Sequence, residues 1–491
     1  MNFNSLGFLL FLAVVLVLYF VLPHKVRWIM LLAASYYFYM SWNAWLVFLI
    51  AGTTVVSYGF ALAMEKTKRK RLKKLFLALT IIICLGVLVF FKYFDFLCAS
   101  VVDFLNMLSL GLDGFALGLL LPVGISFYTF QTLSYVIDVY RGTVKAEIHF
   151  GYYALFVSFF PQLVAGPIER PGDLIPQLKK KHDFSSEDMT AGFKMALCGF
   201  FRKCVVADMC GIYVDRVFAS LQTASSASIY LGAVLFCVQM YCDFAGYSEI
   251  ALGVARMMGI KLTENFDRPY LAKSYTEFFR RWHITLNKWF TDYLYIPLGG
   301  NRKGKARKIF NTIIVFALCG LWHGANWTYV LWGLYAAFFV CMESLLSAPL
   351  KKLDARFKDN ALVTLLRRAF MFCIVFVPAA IIFRSPDTAS LGTAFARLVT
   401  AFGSLTDAFK FMELDGLGFI QIAASIVCMV FIYDFARSKQ TMPKVKTSKT
   451  YERTVYSENI ATMFYCVMAI ALFWLAFIAT RDSSAFAYFQ F

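Results

Sequence analysis

Two histidines, His283 and His323, lie within the stretch KSYTEFFRRWHITLNKWFTDYLYIPLGGNRKGKARKIFNTIIVFALCGLWHGANWTYVLWGL, Lys273 to Leu334. Imidazole is the side chain whose ordinary charge change falls near neutral pH, so it can take a proton from a hydroxyl in one step and return it in the next. His323 sits in a run from Ile309 to Met342 that contains no charged residue. A titratable group in a segment of membrane-grade hydrophobicity is costly, and is a functional candidate by default. The bland alternative for His323 is a corner residue bonded to its own hairpin backbone. His283 lies among Arg280, Arg281, Trp282 and Lys288, where a helix-surface histidine is the alternative. The terminal FAYFQF holds Tyr488 among Phe486, Phe489 and Phe491, which by composition alone reads as an interfacial aromatic anchor. Asp243 and Glu249, in YCDFAGYSE, are intramembrane carboxylates with either a chemical role or an ion-pair partner.

The chain that must position these groups has 491 residues, of which 60% are hydrophobic and 16% charged, with a formal net charge of +18. With a mean hydropathy of +0.64, this composition excludes an ordinary soluble domain and fits a polytopic membrane protein. The Lys and Arg excess gathers in short loops such as EKTKRKRLKK, Glu65–Lys74, which the positive-inside rule puts in the cytoplasm. Nucleic-acid binding is therefore not expected. The 12 cysteines are scattered through apolar runs without a CxxC pair, so no metal site and no disulfide framework is expected. The N-terminus reads as a retained first span, since no basic residue precedes its apolar run.

Spans of about 20 apolar residues are expected at Ser5–Leu22, Trp28–Met40, Trp45–Met64, Leu75–Phe94, Phe115–Val139, Met195–Phe218, Ile229–Ile250, Ile309–Trp322, Asn326–Leu346, Ala369–Phe383, Gly418–Phe435 and Ile460–Ala479. Pro122 and Gly124 break the fifth, which predicts a helix bordering a site with Ser126, Tyr128, Thr129 and Gln131 as its polar wall. Gly151–Ile168 is flanked by basic segments on both sides and reads as a re-entrant or interfacial hairpin. The expected fold is thus all-α: a transmembrane bundle of about 11–12 spans with re-entrant and broken helices around a central funnel. It forms one domain, residues 1–491, with its core at about 121–346, a tail at 484–491 and both termini outside the cytoplasm.

Several long motifs in order, LPVGISFYTFQTLSYVIDVYRG, FFPQLVAGPIERP, QMYCDFAGYSEIALG, ENFDRPYLAKSYTEFFRRWHITLNKWFTDYLYIPLGGNRKG and CGLWHGANWTYVLWG, make Leu121 to Leu334 resemble the membrane-bound O-acyltransferases. The branch most similar acetylates exported polysaccharides. The resemblance implies a helical bundle with a funnel from each face, His323 as catalytic residue and His283 as its assistant. It implies acetyl-CoA as acyl-donor co-substrate, no permanently bound cofactor, and a location in the bacterial cell membrane. Arg280, Arg281, Lys288, Arg302 and Lys303 are then placed to meet the phosphates of coenzyme A, with positive-inside bias as the alternative. The tail resembles the terminal tyrosine motif of the small partner of D-alanyl transferases, which implies an acyl ester on Tyr488. The expected partners are an extracellular serine esterase-like (SGNH) acetyltransferase, the polysaccharide and the membrane lipid. Two rivals remain open: a transporter of an acyl donor or polymer precursor, and direct transfer to polymer without the tyrosine.

Overall fold

The computed structural model describes residues 1, 3–357 and 360–426. Among these residues all regular structure is helical. Five helices are long and apolar enough to cross a membrane: Leu46–Lys66, Lys70–Met107, Ser226–Met257, Trp327–Leu345 and Ala361–Arg384. Leu6–Val21 and His24–Met40 fall where the first two spans are expected, the former capped by the Ser5 hydroxyl, which accepts from Phe8 N at 3.2 Å. The second half of the Gly418–Phe435 span, the Ile460–Ala479 span and the tail with Tyr488 lie outside the described residues.

Three expected spans take a different form. The helix expected at Leu75–Phe94 runs from Lys70 to Met107, with a π-helical turn at Val89–Tyr93. Pro122 does not kink a helix, because the helix starts only at Ile125, after Gly124. Gly124 has φ 74°, and a Cβ there would lie 2.6 Å from the Leu163 carbonyl, so glycine alone allows the chain to turn this close to the hairpin. The weak span at Met195–Phe218 is part of one rod from Ser186 to Ala219 that passes through a π-helical turn at Arg202–Ala207. Two amphipathic helices, Thr388–Thr400 and Leu405–Met412, were not expected at all.

The rod and the Ser226–Met257 helix pack backbone to backbone. A Cβ on Gly192 would lie 2.5 Å from Gly253 O, and one on Gly199 would lie 2.5 Å from Gly246 O. Small residues permit this approach where apolar burial gives no drive between helices. The approach brings two ion pairs into the interior: Arg202 Nε lies 3.0 Å from Glu249 and Lys203 Nζ lies 2.8 Å from Asp243, with Asp208 2.6 Å from the same ammonium. Both carboxylates considered above for chemistry are therefore structural partners of buried cations. Gly151–Ile168 forms a helix of only 9 residues, Phe150–Ser158, followed by turns, in keeping with a re-entrant hairpin.

Candidate active site

Gly304–His323 and Trp327–Leu345 form an antiparallel hairpin whose corner is the WHGAN sequence. Asn326 caps the second helix, its side-chain oxygen accepting from Thr328 N at 3.0 Å, and its amide donates to Pro386 O at 2.7 Å. Gly324 leaves room for the Tyr329 ring, which a Cβ would approach to 2.1 Å. His323 thus ends its helix, about 22 Å along the axis from the basic end at Lys308. Its ring is caged by Trp322, Trp332 and Phe383, with centroids at 5.1, 5.2 and 5.4 Å.

His283 joins two short helices, Tyr275–Arg281 and Ile284–Phe290, in the left-handed conformation with φ 45° and ψ 53°. A bulky residue held there is strained, and such strain gathers at functional sites. The ring is 2% exposed and packs against Phe244, Trp322 and Phe127, with centroids at 4.7, 5.7 and 6.1 Å. Both imidazoles therefore rest on the same indole, that of Trp322.

Two cavities touch His323, and a larger cleft approaches it. A cleft of about 1150 Å³ runs along the hairpin helix from Lys308 to Cys319, one turn short of His323, and its walls carry Arg280, Lys288, Lys308 and Lys351. An apolar chamber of about 70 Å³ lies against His323, lined by Tyr275, Trp332, Phe376 and Phe383. A third cavity of about 100 Å³ touches His323 together with Lys92, Gly124, Ser126 and Trp322. Phe279 faces the cleft and packs on Tyr275 at 4.9 Å and Trp332 at 6.4 Å. One layer of rings therefore separates the basic cleft from the apolar chamber.

Of the five cations expected to meet phosphates, Arg280 and Lys288 line the cleft. Arg281 instead pairs with Glu277 at 2.6 Å, one helical turn back, and Arg302 and Lys303 lie on the exposed turn outside the cleft lining. Lys308 and Lys351 join the cleft without having been singled out. Of the expected polar wall, Ser126 reaches the His323 cavity, whereas Gln131 donates to Phe156 O and the Tyr128 ring packs toward Tyr39.

Lys92 was missed. Its ammonium donates to the Trp322 and His323 carbonyls at 2.7 and 3.1 Å, so a cation holds the C-terminal end of the helix that carries His323. The available signal was a single Lys inside an otherwise apolar run, which deserved the default suspicion given to His323.

With this geometry in view, comparison with known proteins decides the family. The family model for membrane-bound O-acyltransferases matches residues 144–385. The “Probable alginate O-acetylase AlgI” of Pseudomonas putida is 36% identical over the whole of both chains. This chain belongs to the membrane-bound O-acyltransferase family. It is an O-acyltransferase and a multi-pass membrane protein. The Peptidoglycan O-acetyltransferase of Helicobacter pylori is 37% identical over 62% of each chain. The Teichoic acid D-alanyltransferase of Bacillus subtilis is 29% identical over 44% of this chain and 57% of its own.

Proposed function

We propose that this O-acyltransferase carries an acetyl group from cytoplasmic acetyl-CoA across the bacterial cell membrane for O-acetylation of an extracellular polysaccharide. The observation that carries the reading is His323 itself, which borders two separate cavities at the deep end of a cleft lined by cations. A thioester donor approaches from the cleft, where Arg280, Lys288, Lys308 and Lys351 meet its phosphates through charge-assisted hydrogen bonds. The apolar chamber against His323, walled by Trp332, Phe376 and Phe383, suits the methyl end of a short acyl group. The names of the alginate and peptidoglycan relatives point to a polysaccharide as final acceptor.

In the reaction, a hydroxyl oxygen attacks the thioester carbonyl while His323 takes the hydroxyl proton. The tetrahedral intermediate collapses, the carbon–sulfur bond breaks, and the proton returns to the departing thiolate. The hydroxyl we favour is that of Tyr488, whose acetyl ester is an activated intermediate that an extracellular SGNH-type esterase-like partner passes to the polymer. Positive-inside bias at Glu65–Lys74 supports both termini lying outside, where the tail can reach the partner.

The test uses full-length protein in proteoliposomes with acetyl-labelled CoA, the esterase-like partner and its polymer. His323→Ala is expected to abolish polymer acetylation while the protein stays in the membrane, and normal acetylation by that variant would sink the catalytic role. Tyr488→Phe removes one hydroxyl and should abolish label on the C-terminal peptide. An active Tyr488→Phe variant refutes the relay and leaves the enzyme intact.

A further inference from the structure

Asn265 lies outside any helix, between Ser226–Met257 and Tyr275–Arg281, and is 1% exposed. Its backbone carbonyl accepts from Ile284 N at 2.9 Å, which ties this segment to the His283 corner. Three groups converge on its side-chain oxygen: Thr285 N, donating at 3.2 Å, Thr285 Oγ1 at 2.9 Å and His283 Nδ1 at 3.3 Å.

The protonation pattern follows from these contacts in sequence. A backbone N–H only donates, so Thr285 N fixes which end of the Asn265 amide faces the corner. Ile168 N donates to Thr285 Oγ1 at 3.1 Å, occupying a lone pair and leaving the hydroxyl proton for Asn265. His283 Nδ1 therefore faces an acceptor. A lone pair there would be repelled by the amide oxygen, so Nδ1 carries the ring proton. In the neutral imidazole Nε2 is then a bare lone pair. Nε2 is buried and has no hydrogen-bond partner among the described residues. The other end of the amide, Asn265 Nδ2, is also without a partner, and the residue lines a polar cavity of about 210 Å³ with Glu249 and Asp267.

We propose that Asn265 is a positioning residue that sets the tautomer of His283 and so makes Nε2 a hydrogen-bond acceptor in the active site. Any group that reaches Nε2 has to bring a proton: a hydroxyl, a thiol or the N–H of another imidazole. The carbonyl oxygen of the thioester is repelled, so His283 does not polarise the acyl group. This inference rests on the reading of His283 and His323 as the reacting pair.

The experiment is ¹⁵N spectroscopy of the full chain, labelled at histidine and reconstituted in lipid. The sequence has 5 histidines, and the His283 signals are those lost in His283→Gln. The expected wild-type signature is a protonated Nδ1 and an unprotonated Nε2. In Asn265→Ala the signature shifts toward protonated Nε2, and kcat falls at least tenfold while KM for acetyl-CoA stays within about threefold, as befits loss of part of an acid–base contribution. A wild-type ring protonated at Nε2 overturns the proposal whatever the variant does. So does an Asn265→Ala protein with an unchanged signature. An active His323→Ala enzyme refutes the reacting pair and leaves the tautomer result standing, so the two failures are told apart.

Discussion

The hairpin that carries His323 is built on backbone contact, and that makes its glycines the sharpest place to test the geometry. A Cβ on Gly320 would lie 2.1 Å from the Tyr329 carbonyl oxygen, and one on Gly333 would lie 2.2 Å from the Phe316 carbonyl oxygen, whereas ordinary contact begins near 3.4 Å. In both cases the obstacle is backbone, so no side chain can rotate away. Gly320→Ala therefore has to move the two helices apart by about 1 Å, and Gly320 lies less than one turn from His323. A displacement of about 1 Å at a reacting group costs on the order of 10²-fold in rate. The expected result is a protein that inserts and purifies normally but transfers acetyl from labelled CoA about 100-fold more slowly. Gly52→Ala is the control. Its site in Leu46–Lys66 has nothing within 4 Å of the new methyl group, and alanine is the better helix former by about 1 kcal/mol. A Gly320→Ala enzyme working within threefold of wild type would show that His323 does not depend on this packing, and the account of the corner would fall.

Lys92→Met keeps most of the unbranched side chain and removes the ammonium that holds two carbonyls at the same corner. Hydrogen bonds from a charged donor are worth about 1.5–3 kcal/mol each, but relief of the buried cation's desolvation offsets much of the loss. The variant should fold, with Tm within a few degrees of wild type, and lose at least tenfold in kcat; full activity would leave Lys92 with no role at the site. Glu169, in the irregular segment after the re-entrant hairpin, accepts from Thr263 N and Oγ1 at 2.6 and 3.0 Å, and burial raises its carboxyl to about 7. A carboxyl raised above its unfolded value of about 4.5 favours the fold below that value and loses this contribution as pH climbs through 7. Tm should thus fall between pH 5 and 8, and Glu169→Gln should flatten the decline; equal slopes would contradict the assignment.

The fold was legible wherever an apolar run stood alone. Leu6–Val21, Leu46–Lys66 and the His323 hairpin lie close to where hydropathy and flanking charge put them. The rod from Ser186 to Ala219 was harder, because its Arg202 and Lys203 look like a break until Glu249 and Asp243 are known to lie opposite. Those partners stand some forty residues away in the chain, a separation that no local pattern reports. The difference between Arg280 and Arg281 was legible in principle. Successive helical residues point about 100° apart, so one faces the cleft while the other meets Glu277 at the i−4 position. Lys92 was legible as a lone cation in an apolar run, but its partners, the Trp322 and His323 carbonyls, lie some 230 residues away and no local pattern reports them.

The single layer of rings between the cleft and the His323 chamber bears on how an acyl thioester survives long enough to be used. Water in the chamber would compete with the intended hydroxyl for the same carbonyl, and an apolar space of about 70 Å³ gives it few polar partners. Phe279, Tyr275 and Trp332 form this partition, and the N-terminus of the Tyr275–Arg281 helix is held by Glu343, which accepts from Thr276 N at 2.9 Å and Thr276 Oγ1 at 2.7 Å. Glu343 also lines the cleft on which the donor phosphates are proposed to settle. An anion drawn in by Arg280 and Lys288 is therefore repelled by the carboxylate that anchors one side of the partition.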